Sequence, residues 1–269
     1  MNSNTFIHPS NKDALEALTR RLSHAVLLTG PPGLGLEEIA RIITTSHDPH
    51  PLVINPEANS ISIELIRELY ANLRTKQGRR VILIIRADRM TLEAQNAFLK
   101  LLEEPGEHIS FILTSEHPGA LLPTIRSRVQ SIQLTKTTKA QSVAQLDAHQ
   151  VTTPIERAQI MFIAQGLPGK LKQLATDKEY FSEQVAVVRS VRTFLEGSTY
   201  DKLLIIQKIS SERETALMFL QALELMLKHS LQHAPSVLTA RRLDTALVAE
   251  EKLLANGHVR TQLMRVAFD

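Results

Sequence analysis

A glycine-rich segment near the amino terminus constrains the fold of this chain more than any other feature. Residues 25–29 form an apolar run, and the sequence Gly-Pro-Pro-Gly-Leu-Gly at 30–35 leads from it into a segment with helical spacing. A strand, a glycine-rich turn and a helix in this order predict a phosphate-binding loop, in which backbone amides face an anion at a helix N-terminus. Gly30, Gly33 and Gly35 are therefore the candidate nucleotide-binding residues.

The side chains that would make this loop catalytic are missing. The P-loop pattern requires Lys and then Ser or Thr after the second glycine, to reach the β- and γ-phosphates and to bind Mg²⁺. Leu36 and Glu37 stand at those positions. The acids expected at the end of a later strand are replaced by Ile85 and Arg86, and only Asp88 remains.

The combined loss of these groups is difficult to reconcile with hydrolysis. Because removing one electrostatic stabiliser costs on the order of 10²–10³ in rate, we expect no significant intrinsic ATPase activity and no cofactor of the chain's own. The loop is then a degenerate P-loop with an empty pocket, and its glycines make a tight turn. A weak phosphate contact through the backbone amides stays open as an alternative.

Composition excludes several other classes. The 269 residues include no cysteine, which excludes disulfides and thiolate metal sites and fits a reducing cytoplasm. No run approaches the roughly 18 apolar residues of a membrane helix, and residues 1–10 lack a signal-peptide pattern, so we expect a cytoplasmic protein with no membrane partner. The net charge of +3 permits a local nucleic-acid contact without requiring one.

The order of apolar patterns predicts the architecture. Runs typical of strands occur at 25–29, 52–55, 81–85, 110–113 and 129–134, and helical spacing separates them at 37–45, 61–74 and 91–104. Strands that alternate with helices indicate an α/β domain with a parallel sheet flanked by helices. From Lys136 onward the patterns are helical. We therefore expect an α/β domain at 1–135, a small helical domain at 136–185 and an all-helical C-terminal domain at 186–269.

Several segments of the first half match one family in order along the chain. They are Ser23-His24-Ala25, the glycine loop, Ile61–Leu69, Ala87-Asp88-Arg89-Met90, Asn96 to Pro105, and Leu122 to Arg128. The pattern Asn-Ala-x-Leu-Lys-x-Leu-Glu-Glu-Pro followed by Ser-Arg is highly specific to clamp-loader subunits. The chain thus resembles the delta-prime family of the bacterial DNA polymerase III clamp loader, within the AAA+ superfamily. The resemblance is strong over residues 20–135 and moderate at Ala255–Arg260, and it implies that a helical lid and a C-terminal collar domain follow the AAA+ P-loop domain.

The resemblance implies that Arg128, with Ser127 beside it, is an arginine finger. In that family the Ser-Arg pair reaches the ATP site of a neighbouring motor subunit and contacts the γ-phosphate, so ATP and Mg²⁺ are bound by the neighbours. Only a guanidinium offers a planar, permanently charged, multi-donor head for this task. Taken alone, an arginine after a turn-rich loop is more often a solvated surface residue. We interpret Arg126 as a structural or interface-supporting residue.

Further positions take roles from the same resemblance. Thr114 and Ser115 stand where the family has its sensor-1 polar residue, and Gly169 or Lys170 stands where active members have a sensor-2 arginine. Lys100 and Arg89 are candidates for contact with the DNA backbone, although a solvated helix face is the alternative for any one lysine.

The resemblance also implies partners. They are gamma/tau-type motor subunits and a delta subunit in a hetero-pentamer, primer–template DNA, and indirectly the sliding clamp. Many family members carry a four-cysteine zinc module, and here His47-Asp48-Pro49-His50-Pro51 replaces it. Because two histidines and an aspartate lack a fourth ligand, we expect a plain loop and no metal site.

Two other functions compete with this interpretation. The chain would be a catalytically active AAA+ clamp-loader motor subunit or helicase-type ATPase if its loop bound and hydrolysed ATP. Leu36, Glu37, Ile85 and Arg86 argue against this. A stand-alone nucleotide- or DNA-binding module would bind its ligand tightly without a motor partner.

Overall fold

The computed structural model describes residues 7–56, 60–74, 80–104, 106 and 108–268, and the chain divides into two compact units. The first unit comprises Met1–Arg157 and Ala164–Gln173, and the second comprises Ala158–Ile163 and Leu174–Asp269. The three domains expected from the sequence, with a separate lid at 136–185, stay a prediction.

The first unit is built on a five-stranded sheet whose strands all run parallel. The strands are β1 Ala25–Thr29, β2 Leu52–Ile54, β3 Arg80–Ile84, β4 Ile109–Ser115 and β5 Gln130–Gln133, in the spatial order β2-β3-β4-β1-β5. β1 is buried along its whole length, as a strand covered on both faces must be. The predicted α/β fold with a parallel sheet is confirmed.

Successive strand residues point to opposite faces of the sheet, so each strand contributes to two hydrophobic cores. Ile82 and Ile84 of β3 join the core that surrounds Phe98 and Phe111, whose rings meet edge to face at 5.2 Å. Val81 and Leu83 join the core on the other face. The helices up to residue 176 are α1 Pro9–Arg20, α2 Leu36–His47, α3 Ile63–Arg74, α4 Leu92–Glu103, α5 Pro123–Arg126, α6 Lys139–Ala148, α7 Pro154–Ala164 and α8 Pro168–Thr176.

Helix α1 was not predicted from the sequence. Its residues Leu15 and Leu18 are buried in the second of these cores together with Leu22. The side chain of Asn11 ties the helix to the end of β5, since Nδ2 donates to Gln133 O at 2.8 Å. The spacing of the three leucines is helical and was the available signal.

The second unit is helical throughout the residues that the structure describes. After the segment taken from α7, its helices are α9 Lys178–Glu196, α10 Thr199–Ile209, α11 Arg213–His233, α12 Val237–Leu254 and α13 Val259–Phe268. They enclose one core in which Phe194 and Phe219 lie edge to face at 5.3 Å. Within the described ranges, no helix is long and apolar enough to cross a membrane.

Candidate functional site

The glycine loop follows β1 and leads directly into α2. Gly33 and Gly35 have φ angles of 81° and 84°, a region that side chains with a Cβ rarely adopt, which explains the glycines at these two positions. Gly30 N donates to Ser115 O at 3.4 Å and so joins the loop to the end of β4. Gly35 is the N-cap of α2. The strand, the glycine-rich turn and the helix therefore follow one another in the predicted order, and the phosphate-binding role of the glycines stays a prediction.

The start of α8 lies directly against this loop. Lys170 N donates to Gly33 O at 2.8 Å. A Cβ placed on Gly169 would lie 2.8 Å from Gly35 N and 2.9 Å from Gly33 O, so only glycine fits there without a shift of the backbone. Gln145 Nε2 donates a hydrogen bond to Pro168 O, the carbonyl just before Gly169, at 2.8 Å. The expected sensor-2 segment thus packs backbone to backbone on the glycine loop.

Side chains also stabilise the packing of α8 against the glycine loop. Leu36, 6% exposed, belongs to an apolar cluster that includes Leu34, and Leu167 packs against that cluster. On the outer face Lys172 Nζ lies 2.8 Å from Glu38 Oε1. Burial lowers the pKa of the Lys170 ammonium.

The turn-forming sequence Gly-Leu-Pro-Gly at 166–169 predicts a helix that begins at Lys170, and this is wrong by two residues. The helix begins at Pro168, because proline has the φ angle of a first helical turn and needs no amide partner there. The difference matters, since it places Gly169 inside the first turn, where its backbone meets the loop.

The residues around the positions where the sequence analysis expected catalytic acids also have defined contacts. Arg86 has a left-handed backbone with φ 52°, and its N–H donates to Thr114 Oγ1 at 2.9 Å. Asp88 Oδ1 accepts from Glu116 N at 3.2 Å. The buried Oγ of Ser115 has no hydrogen-bond partner among the described residues. Glu37 forms an ion pair with Arg41 at 2.8 Å.

Arg128 lies just after α5, next to Ser127, on the surface of the first unit. Its Nη2 is 2.7 Å from Glu103 Oε1, and the two side chains are 40% and 51% exposed. Its Nη1 donates to Thr124 O at 3.1 Å and lies 3.5 Å from Ser127 Oγ. The structure therefore brings the predicted pair together and adds Glu103, which the sequence analysis did not single out. Pro105, predicted to close the helix that carries Glu103, lies outside the described residues.

A buried glutamine connects α4 to the segment that carries Arg128. Gln95 is 4% exposed, its Nε2 donates to Ala120 O at 3.1 Å, and its Oε1 accepts from Leu122 N at 2.7 Å. Leu122 is the N-cap of α5. Sequence reasoning missed this residue, although an amide on an otherwise apolar helix stripe was a usable signal, because buried polar groups need hydrogen-bond partners.

The two candidate DNA contacts lie on separate elements. Lys100 is exposed on α4 and lines an open groove of about 620 Å³ between α3 and α4, together with Arg67, Tyr70 and Glu93. Arg89 lies in a single tight helical turn after β3, with Nε 4.0 Å from Asp88 Oδ2. Neither placement tests a contact with DNA.

The loop that replaces the zinc module is bonded within the chain. Asp48 is buried, with Oδ1 accepting from His50 N at 2.9 Å and Oδ2 from Val81 N at 3.1 Å. His47 Nε2 lies 2.6 Å from Leu18 O. Among the described residues there is no group of three or more His, Cys, Asp or Glu side chains that could hold a metal ion.

Comparisons with known proteins bear on the first unit above all. Residues 40–138 match the family model described as DNA polymerase III, delta subunit. The DNA polymerase III subunit delta' of Pseudomonas aeruginosa is 32% identical over an alignment of 135 residues that covers 39% of this chain and 41% of that protein. The subunit gamma/tau of Mycobacterium tuberculosis is 30% identical over an alignment of 141 residues that covers 40% of this chain and 24% of that protein. The match spans less than half the length of either relative.

Solved structures share the fold over most of the chain. A DNA polymerase III gamma subunit-related protein of Thermotoga maritima has a TM-score of 0.59 at 20% identity, over 94% of this chain and 97% of that one. The RuvB Holliday junction branch migration motor of the same organism has a TM-score of 0.54 at 19% identity, over 96% and 88%. These likenesses show a shared fold. The resemblance predicted from the sequence is confirmed: in the residues that match, the chain is similar to delta-prime-type subunits of the DNA polymerase III clamp loader.

Proposed function

We propose that this chain is a non-catalytic, delta-prime-type subunit of the replicative sliding-clamp loader. It would supply Arg128 in trans, as an arginine finger, to the ATP site of a neighbouring motor subunit. The observation that carries the proposal is a contrast within one unit: the glycine loop is covered by the backbone of α8, while the Arg128 guanidinium stands on the surface.

The contacts of the glycine loop support the non-catalytic half of the proposal. A triphosphate needs the loop amides, a lysine and a metal ligand. Here Gly169 packs on Gly35, Leu36 is buried in an apolar cluster, and Arg86 stands where an acid would bind Mg²⁺. Helix α8 packs against this loop, and a nucleotide that bound there would still find none of the catalytic side chains.

The surroundings of Arg128 support the finger. A guanidinium that approaches a γ-phosphate from another subunit stabilises charge in the transition state, and such arginines contribute roughly 10³–10⁵ in rate in well-studied GTPases. The Gln95 hydrogen bonds tie the start of α5 to α4 and so place the segment that ends in Arg128. ATP and Mg²⁺ would be held by the neighbouring motor subunit, and Arg128 with Ser127 would act on the phosphate.

The assembly is part of the same proposal. The chain would join gamma/tau-type motor subunits and a delta subunit in a cytoplasmic hetero-pentamer, through its helical C-terminal region as a collar. Residues 136–185 would serve as the lid. Lys100 and Arg89 would contact the backbone of primer–template DNA, with salt-dependent and sequence-independent affinity. The sliding clamp would be reached indirectly, through the assembled ring.

Reconstitution tests this proposal. The purified chain is mixed with the gamma/tau-type and delta subunits of the same organism, assembly is followed by size-exclusion chromatography, and ATP turnover is measured with and without the chain. We expect co-elution, a higher turnover when the chain is present, and only background turnover for the chain alone.

Two results would contradict the proposal. Failure to co-elute would remove the assembly on which the finger depends. A turnover of about one per second by the isolated chain, in the range of ordinary enzymes, would favour the active ATPase if substitution of Gly35 abolished it.

A further inference from the structure

Glu103 occupies an electrostatically unfavourable position. It is the last residue of α4, and the only basic side chain in the last turn of that helix is Lys100. The C-terminus of a helix carries partial negative charge, so a carboxylate there is repelled. Glu104 adds a second carboxylate next to it. A cation near this helix end is therefore favoured, and Arg128 supplies it.

The contacts of Arg128 restrict the guanidinium from two sides. Glu103 of α4 holds Nη2, while Thr124 O and Ser127 Oγ, from the segment of α5, hold Nη1. A guanidinium has five N–H donors. The described contacts leave one N–H on Nε and one on Nη2, and either can donate to a phosphate oxygen.

We propose that Glu103 is a positioning residue, which holds the guanidinium of Arg128 in the orientation that engages a nucleotide phosphate of the neighbouring subunit. This inference rests on the proposed function. A free arginine would lose the freedom of its rotatable bonds when it met the phosphate, whereas one already held by Glu103 loses less. Glu103 and the phosphate would use different N–H groups, so the carboxylate does not have to leave.

The role of Glu103 can be separated from a role in folding. Ion pairs between exposed side chains contribute little to stability, so Glu103→Gln should leave the fold and the assembly intact. Glu104→Gln is a matched control: it makes the same change of charge at the adjacent residue, and the structure describes no ion pair for that side chain within the ranges it covers.

The test is the steady-state ATP turnover of the reconstituted complex. With Glu103→Gln we expect kcat to fall by roughly tenfold and KM for ATP to change little, since a finger held in place acts mainly in the transition state. Glu104→Gln should retain the wild-type kcat. A kcat for Glu103→Gln within about twofold of wild type, or an equal fall with Glu104→Gln, would overturn the inference.

A double-mutant cycle makes the test specific to Arg128. In a complex that carries Arg128→Ala, Glu103→Gln should cause no further loss, because the side chain that it positions is gone. If the two losses multiplied, Glu103 would act elsewhere, and the inference would fail while the proposed function stood. If Arg128→Ala itself left turnover unchanged, the proposed function would fail and the inference with it.

Discussion

Leu36 and Glu37 make side-chain contacts that a lysine and a hydroxyl could not make in their place, and Arg86 has a defined backbone contact. Leu36 is buried among apolar side chains, Glu37 pairs with Arg41, and the backbone of Arg86 is held in a left-handed conformation by Thr114. A non-glycine residue with a left-handed backbone is strained. The Thr114 hydroxyl offsets this strain by accepting a hydrogen bond from the backbone N–H of Arg86. The residues at these three positions therefore contribute to packing and local structure.

Glu224, in the core of the second unit, provides a prediction at the scale of one residue. It is 6% exposed, and its Oε1 has no hydrogen-bond partner among the described residues, while Lys228 Nζ lies 2.9 Å from Oε2. Burial, followed by the neighbouring Glu250, raises the pKa of Glu224 above its ordinary value of 4.5, although Lys228 opposes the shift.

A raised carboxyl pKa means that the folded chain binds this proton more tightly than the unfolded chain. The free energy of unfolding should therefore decline as pH rises from the unfolded pKa through the folded one. Glu224→Gln should raise the free energy of unfolding at neutral pH by about 1 kcal/mol and flatten this decline. Urea denaturation at several pH values checks both, with the exposed Glu251→Gln as control. An unchanged pH dependence would contradict the assignment.

At the scale of the element, α8 determines what the glycine loop can do. Three contacts hold the start of α8. Lys170 N donates to Gly33 O, Gln145 Nε2 donates to Pro168 O, and the backbone of Gly169 lies close to that of Gly35. The sequence analysis predicted a degenerate loop from side chains alone. It could not predict that α8 covers the loop, because this contact joins backbone atoms more than 130 residues apart in a chain of 269, and backbone contacts leave no side-chain pattern except a glycine.

Substitution of Gly169 tests this packing. Gly169→Ala would place a Cβ within 2.9 Å of three backbone atoms of the loop, and backbone atoms cannot move aside as a flexible side chain can. We expect the free energy of unfolding of the first unit to fall by roughly 1–3 kcal/mol, the cost of overpacking a closely packed site. Gly119→Ala is the matched control, since nothing lies within 4 Å of a Cβ there.

Thermal denaturation compares the two variants. Equal stability of Gly169→Ala and Gly119→Ala would show that α8 does not pack on the loop as described.

At the scale of the whole molecule, the sequence predicted the parallel sheet and the helical second half from the period of the apolar residues. It missed α1, because Leu15 and Leu18 in the helix and Leu22 just after it have helical spacing but are too few to mark a helix without the sheet that they cover. Arg128 was singled out through the family resemblance. Its residue type and position in the sequence would by themselves indicate only a solvated surface residue. Glu103 was missed because the ion pair joins two elements 25 residues apart, and sequence position does not show which surface charges meet.

The measurement that tests the account most directly compares the ATP turnover of complexes reconstituted with wild-type chain, Arg128→Ala and Arg126→Ala. Arg126 is exposed and two residues from Arg128, so it controls for loss of surface charge. We predict that the Arg128→Ala complex assembles as the wild-type complex does, that Arg126→Ala retains wild-type turnover per assembled complex, and that Arg128→Ala lowers turnover by roughly tenfold or more. An assembled Arg128→Ala complex with unchanged turnover would contradict the claim that this chain lends its arginine to a neighbouring site.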